Sequence, residues 1–190
     1  MNPYLDRALA HLDQLGRQRP SPNSKLLDAL GSALDAYAHT PDLTATFVVL
    51  LPELLEIARS PFGFLAEIAY SGATPYLKSH AVVDIYKPNF THRDIVSNLS
   101  FWNLDTLNGA IMTSRAPVVS NDPANDPRSG GVPSGHMTLQ AFLGMPFLVD
   151  DQLLGALAIA NKPGGYTDAD VELFGDLAEI GGLLIAADRS

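Results

Sequence analysis

The apolar positions of the first sixty residues fall on helical spacing. Leu5, Ala8, Leu9, Leu12 and Leu15 make one stripe over residues 2–18, with Asn2 placed to cap it and Pro3 at the first helical position, where a missing N–H is no loss. After a turn at Ser21-Pro22-Asn23, residues Leu26, Leu27, Leu30, Ala33, Leu34 and Tyr37 repeat the spacing until Pro41 forbids continuation. The first forty residues therefore predict a helical hairpin. A third helix is expected from Leu43 to Arg59, with Phe47, Leu51, Leu54, Leu55 and Ala58 on one face and a kink at Pro52.

From Phe62 onward the period changes to two. Phe62, Phe64, Ala66, Ile68 and Tyr70 alternate along one predicted strand, 62–70, and Leu77, Ala81, Val83 and Ile85 share a face of another, 76–85, with Ser71 to Pro75 as the hairpin loop. Asn103 is expected to cap a helix carrying Leu104, Leu107 and Ile111, which Ala116-Pro117 ends ahead of a short strand, Val118-Val119-Ser120. A long polar loop, Asn121 to Gly135, follows, and a loop of that length inside a domain is usually functional or mobile. Phe142 to Val149 and Leu153 to Ala160, joined at Asp150-Asp151-Gln152, are apolar on both faces, so the pair belongs mid-sheet with a layer on either side. Thr167 then caps a last helix with Val171, Phe174, Ala178, Gly181 and Ile185 in one stripe.

Charge and composition remove several classes of chemistry from this frame. Twelve Lys and Arg against 21 Asp and Glu leave a formal charge of −9, which repels nucleic-acid backbones and anionic lipid surfaces. The complete lack of cysteine rules out disulfides, thiolate metal sites, thiol catalysis and thioether-linked cofactors. The start has no signal-peptide pattern, and the longest apolar runs, Phe47 to Leu51 and Leu183 to Ala187, are too short to cross a bilayer, so a cytoplasmic location is expected. His80, His92 and His136 lack metal-ligand spacing. Gly130 to Gly135 is followed by no Gly-Lys-Ser/Thr and its serine lacks the Gly-x-Ser-x-Gly setting. With no nucleophile, base and orienting group to assemble, neither enzymatic activity nor a cofactor is expected.

Binding chemistry remains open. Arg128 is able to clamp a carboxylate or phosphate bidentately, and Asp122 and Asp126 either line a pocket mouth beside it or close Asx-turns and a surface ion pair. His136 follows Pro133-Ser134-Gly135 at the expected start of a short helix, where it meets an anion or caps local backbone. Phe64, Trp102, Phe142 and Met145 are candidate pocket walls, with core packing as the alternative for Phe142 and Met145. Lys162 and Asp170 are expected to form a surface pair tying the last strand to the last helix.

Several fragments, in their order, carry a family resemblance: Gly63-Phe64-Leu65-Ala66-Glu67, Pro75 to Ala81, Asn103 to Leu107, Asn121-Asp122-Pro123 with Asp126-Pro127-Arg128, Phe142 to Pro146, and Ala160-Asn161-Lys162-Pro163-Gly164-Gly165-Tyr166. Together, over about residues 44–187, they resemble GAF domains of bacterial sensory kinases and related signalling proteins. The resemblance implies an α/β (α+β) fold, an antiparallel sheet with helices on both faces, over residues 41–190, preceded by the N-terminal helical extension 1–40. It also implies a pocket on one face, roofed by the middle helix and the polar loop, that takes a small molecule, or else a dimer module whose pocket its own side chains fill. Asn161-Lys162, Tyr166 and Asp170 are similar to the signature of cyclic-nucleotide-binding members, but Tyr replaces Phe and Val171 replaces Glu, so no cyclic nucleotide is inferred. The GAF relatives that reduce free methionine sulfoxide and those that link bilins use cysteines this chain lacks.

The expected ligand is anionic or amphipathic, and the expected ligand-binding set is Phe64, Trp102, Asn121, Asp122, Asp126, Arg128, His136 and Phe142. Residues 121–135 are expected to act as a lid closed through Arg128 and His136. The wide apolar stripes of the N-terminal hairpin and last helix, with Gly175, Gly181 and Gly182, predict a homodimer that passes ligand state to an output protein.

Overall fold

The computed structural model describes residues 2–18, 24–83, 95–132 and 135–190. The expected turn at 21–23, the strand end at 84–85 and His92 lie outside these. The first three helices form as their stripes require: α1 (Pro3–Gln18), α2 (Ser24–His39) and α3 (Leu43–Ala58). Asn2 Oδ1 accepts the Tyr4 and Leu5 N–H groups at the start of α1, and Asp42 accepts the Ala45 N–H at 2.9 Å at the start of α3. These caps satisfy N–H groups that have no partner within their helix.

The strands are β1 (Phe62–Ser71), β2 (Thr74–Val83), β3 (Ile95–Val96), β4 (Ser100–Phe101), β5 (Val118–Ser120), β6 (Phe142–Val149) and β7 (Gln152–Ala160). They form one antiparallel sheet in the order β3–β2–β1–β7–β6–β5, with β4 also paired to β2. The β1–β2 turn is tighter than the sequence suggests, because Ser71 pairs with Thr74 and only Gly72 and Ala73 remain to turn the chain. Pro75, which marked the expected loop end, is tolerated here because it falls at the start of its strand. Asp150 and Asp151, at φ 48° and 61°, make the two-residue turn between β6 and β7, a left-handed pair that aspartate accepts.

Between the strands lie α4 (Leu107–Ser114) and, last in the chain, α5 (Asp168–Asp188). Contrary to expectation α4 is not capped by Asn103. The Asn103 side chain accepts the Asp105 N–H in a local turn, and Thr106 accepts the Gly109 N–H, so the helix starts at Leu107.

Helices cover both sheet faces. Against one face pack α3 and α5, and α1 and α2 join the same core, in which Leu26, Leu30, Leu34, Phe47, Phe147 and Phe174 are fully buried. The hairpin thus shares the sheet's core rather than making its own. Against the other face, Phe64, Ile68, Leu107, Ile111 and Phe142 form a second, smaller cluster beneath α4. Gly181 lets α5 approach the sheet so closely that an added Cβ would strike the Phe147 ring. That close approach is internal, and the large apolar side chains left exposed on the described helices are Leu9 and Val49. Among the described residues no helix is long and apolar enough to cross a membrane.

Candidate functional site

The smaller cluster does not fill the space under α4. A cavity of about 530 Å³ remains between the sheet and that helix. Its floor comes from β1, β2, β6 and β7 through Phe62, Phe64, Val82, Phe142 and Ala158; its roof comes from Thr106, Leu107 and Asn108 and from residues 129–132 of the polar loop; Leu99 to Asn103, His136 and Leu139 close the sides. Small alanines on β7 leave room where larger side chains would pack. The loop reaches the start of α4 because residue 130 is glycine: a Cβ there would run into the Asp105 carbonyl.

The walls are aromatic. Phe64 stacks on Phe101 with ring centroids 4.9 Å apart, and His136 meets the Phe62 ring edge-on at 6.1 Å. His136 Nδ1 donates to the Met137 carbonyl at 2.6 Å. No helix starts there, since residues 136–139 are irregular, so the expected helix terminus for an anion is absent. Trp102 stands at the cavity margin, its indole stacked on Tyr76 at 4.0 Å and half exposed. Asn108 is a residue that pattern reading missed. It lines the cavity, and its Oδ1 is buried without a hydrogen-bond partner. The available signal was its position three residues before Ile111, on the side of α4 that the apolar stripe turns to the sheet.

Of the eight expected ligand residues, the structure brings Phe64, Trp102, His136 and Phe142 to this cavity. Asn121, Asp122, Asp126 and Arg128 lie apart from it, around a shallow hollow beside β5. Each of the four already has a side-chain hydrogen bond within the chain. Asn121 donates to the Tyr166 carbonyl at 2.9 Å and accepts the Tyr166 N–H at 2.8 Å. Asp122 accepts the Asn125 amide at 2.8 Å. Arg128 grips Asp126 with two bonds, 2.9 and 2.7 Å, and donates to the Val119 carbonyl at 2.8 Å. The guanidinium bonds hold the Asp126 carboxyl well below the usual carboxylate range. Of the two readings open for this pair, the structure contains the ion pair.

A second polar assembly braces the far end of the sheet. Asn161 accepts the Gln140 N–H at 2.7 Å and donates to the Thr138 carbonyl at 2.8 Å, and the Tyr166 hydroxyl pairs with Ser60 at 2.7 Å. Burial pushes the Tyr166 phenol up to about 12. Lys162 and Asp170 pair as expected, but not on the surface: their side chains are 13% and 9% exposed. Burial raises the Asp170 carboxyl, while the Lys162 and Thr167 bonds outweigh it and leave the pKa lowered. These residues, which resemble a nucleotide signature, join β7 to α5.

Across the sheet from the cavity, Glu67 of β1 joins four elements. His80 Nε2 lies 3.2 Å from its carboxylate, Lys78 3.4 Å, and Arg189 at the end of α5 2.7 Å, while Thr44 of α3 holds the other His80 nitrogen at 2.8 Å. Arg189 also donates to the Ile68 carbonyl. The neighbouring His80 imidazole first, then the Arg189 hydrogen bonds, hold the Glu67 carboxyl down to about 2 against the opposing effect of burial. Among the described residues no three His, Asp or Glu side chains gather as metal ligands.

The chain is thus an α+β domain, an antiparallel sheet with α3 and α5 on one face and a roofed cavity on the other. The chain belongs to the GAF family: residues 40–186 match the GAF domain. No curated protein matched the chain. Among solved structures it is similar to the GAF domain of a phosphoenolpyruvate-protein phosphotransferase from Coxiella burnetii, at TM-score 0.66 and 18% identity, covering 89% of this chain and 97% of that one. It is also similar to the phycocyanobilin-bound GAF domain of a cyanobacterial phytochrome, at TM-score 0.58 and 13% identity, covering 86% and 93%. A third is free methionine-R-sulfoxide reductase from Neisseria meningitidis in complex with its substrate, at TM-score 0.58 and 14% identity, covering 82% and 84%. At these identities the likeness establishes the fold. GAF domains are commonly small-molecule-binding sensory modules of signalling proteins, and some members of the family are enzymes.

Proposed function

We propose that this domain is a cytoplasmic sensor that takes a small molecule into the cavity under α4 and reports its presence through the helices on the opposite face. The observation that carries the reading is the cavity itself. About 530 Å³ of mostly apolar space with a few polar groups at one end is the size and character of a ligand site, and it argues against a pocket filled by the domain's own side chains. Two similar GAF structures carry small molecules, a bilin in one and a substrate in the other.

The route outward runs through the sheet. Ala158 of β7 borders the cavity while its neighbours Leu157 and Ile159 belong to the core shared with α5, so a ligand that shifts β7 meets α5 directly. The Glu67–Arg189 pair ties the end of α5 to β1. We read residues 1–40 as an extension that adds a second helical layer to this output side.

A non-catalytic role is supported by the absence of cysteine, the residue on which the reductase chemistry of GAF relatives is expected to depend. A homodimer has less support than the helical stripes alone gave it, because most of their residues pack inside the chain and Leu9 is the large apolar side chain they leave exposed. Thermal shift in a metabolite screen tests the sensor reading, since a ligand that binds only the native state raises stability by mass action. A screen in which no compound stabilises the folded chain would count against it.

A further inference from the structure

The second half of α5 is covered on every side, and most of its cover away from the sheet is a single helix. The consecutive residues Ile180 to Ala187 are all buried, a stretch of about two turns, and each is apolar or glycine. The sheet takes one side: an added Cβ at Gly181 would strike Phe147, and one at Gly182 would strike Val149. Of the other helices, α1 lies along α5 most extensively, while α2 packs chiefly against α3.

What holds α1 in place is slight by comparison. Among its described side chains Ala8 and Leu15 are buried and Tyr4, Leu5 and Leu12 are packed part-way, whereas α2 buries Leu26, Leu30, Ala33, Leu34 and Tyr37. Polar contacts add to this at two places. Asn2 donates to the Ala187 carbonyl at 2.8 Å and to the Ser190 hydroxyl at 2.9 Å, and His11 lies 3.4 Å from Glu179 of α5. Arg7 makes two bonds, 2.9 and 3.2 Å, to Asp150 in the β6–β7 turn, but that pair stands in solvent and is screened. A helix of 16 residues is marginal on its own in water, so α1 keeps its shape only while docked.

We infer that α1 is a releasable cover: it undocks from α5 and unfolds as a unit while α2, α3 and the sheet stay folded, and it bares an apolar face of α5. A segment with few buried apolar side chains and solvent-exposed polar contacts opens at low free energy, and α1 has both. The Arg7–Asp150 tie sets how readily it opens, and it fixes α1 to the hairpin whose Phe142 and Ala158 floor the cavity. The inference goes beyond the sensor reading and stands whether or not a ligand enters the cavity.

Native-state hydrogen exchange of the full chain, followed by heteronuclear NMR, reads this opening without altering the protein. The amides of Leu9 to Leu12, in the middle of α1, are expected to exchange together and at least about a hundredfold faster than those of Leu30 to Leu34 in α2. Arg7→Ala is expected to speed the α1 amides by about threefold more and to leave those of α2 unchanged. Thiol labelling separates undocking from fraying in place. The chain has no cysteine of its own, so Ala8→Cys, at a fully buried position, gives a single reporter that a soluble disulfide reagent reaches once α1 undocks. Ala33→Cys, on α2, should react through global unfolding and be slower by the same hundredfold or so.

Amides of Leu9 to Leu12 protected as well as those of Leu30 to Leu34 would overturn the inference. So would α1 and α2 exchanging as one unit, or an Ala8→Cys thiol that stays unlabelled while the α1 amides exchange. An Arg7→Ala chain that exchanges like the wild type would overturn the part given to the Asp150 tie. Should Ala8→Cys fail to fold, Leu15→Cys places the reporter at the other buried position of α1. A failure here leaves the cavity reading standing, because no step of this test uses a ligand.

Discussion

Replacing Glu67 by glutamine removes the charge that joins β1, β2 and α5 while keeping the shape of the side chain. Its carboxyl is held at about 2 against an ordinary 4.5, and the side chain is 15% exposed. By linkage that depression corresponds to roughly 3 kcal/mol of stability at neutral pH. Arg189 is 39% exposed and screened by solvent, which lowers the expected figure to about 2 kcal/mol. The sign follows from the direction of the shift: a carboxyl with a depressed folded-state pKa contributes its full stability above pH 4.5 and loses it as pH falls toward 2. Urea unfolding followed by circular dichroism at pH 7 and pH 3 should show the wild-type chain ahead of Glu67→Gln by about 2 kcal/mol at pH 7 and by less than half of that at pH 3. Other carboxylates with lowered pKa, such as Asp126, affect both proteins alike and cancel in the difference. An equal gap at the two pH values, or no gap at either, would refute the view that the Glu67 charge holds α5 to the sheet.

Asn121→Ala removes both bonds to the Tyr166 backbone and should destabilise the fold by about 2 kcal/mol, measured by chemical denaturation, while leaving cavity ligands bound with unchanged affinity. Arg128→Ala should likewise cost stability, about 1 kcal/mol, and not affinity; weaker ligand binding with an unchanged Tm would restore Arg128 as a ligand residue. The chain should scatter light as a monomer at high micromolar concentration, since Leu9 and Val49 are the large apolar side chains exposed on its described helices, and a dimer mass would show that they suffice.

The sheet and its layers were legible because their cause is periodic. The doubly apolar runs of β6 and β7 demanded cover on both faces, and α4 and α5 supply it. The two-residue strands β3 and β4 are too short to show a period and appear only once β2 offers them an edge. The candidate site divided along a similar line. Aromatic residues within the apolar pattern, Phe64 and Phe142, reached the cavity, because a strand's alternation fixes which face a side chain takes. The polar loop residues did not, because composition does not say which partner a hydrogen-bonding group will find. Asn121 found the Tyr166 backbone 45 residues away, and Arg128 found Asp126 two residues away. Asn108 was hidden for the opposite reason: an asparagine in a helix draws no notice until the space beneath it is seen to be open.

The claim on which the account turns is that the cavity under α4 is where a small molecule binds, and Ala158→Phe tests it most directly. Ala158 is 3% exposed, sits in the cavity floor on the central strand β7, and points a small side chain into space that a phenyl ring can occupy. A metabolite library screened by thermal shift against both proteins should yield at least one compound that raises the Tm of the wild-type chain in proportion to its concentration and has no effect on the folded variant. A compound that stabilises both proteins equally would place binding elsewhere and contradict the account.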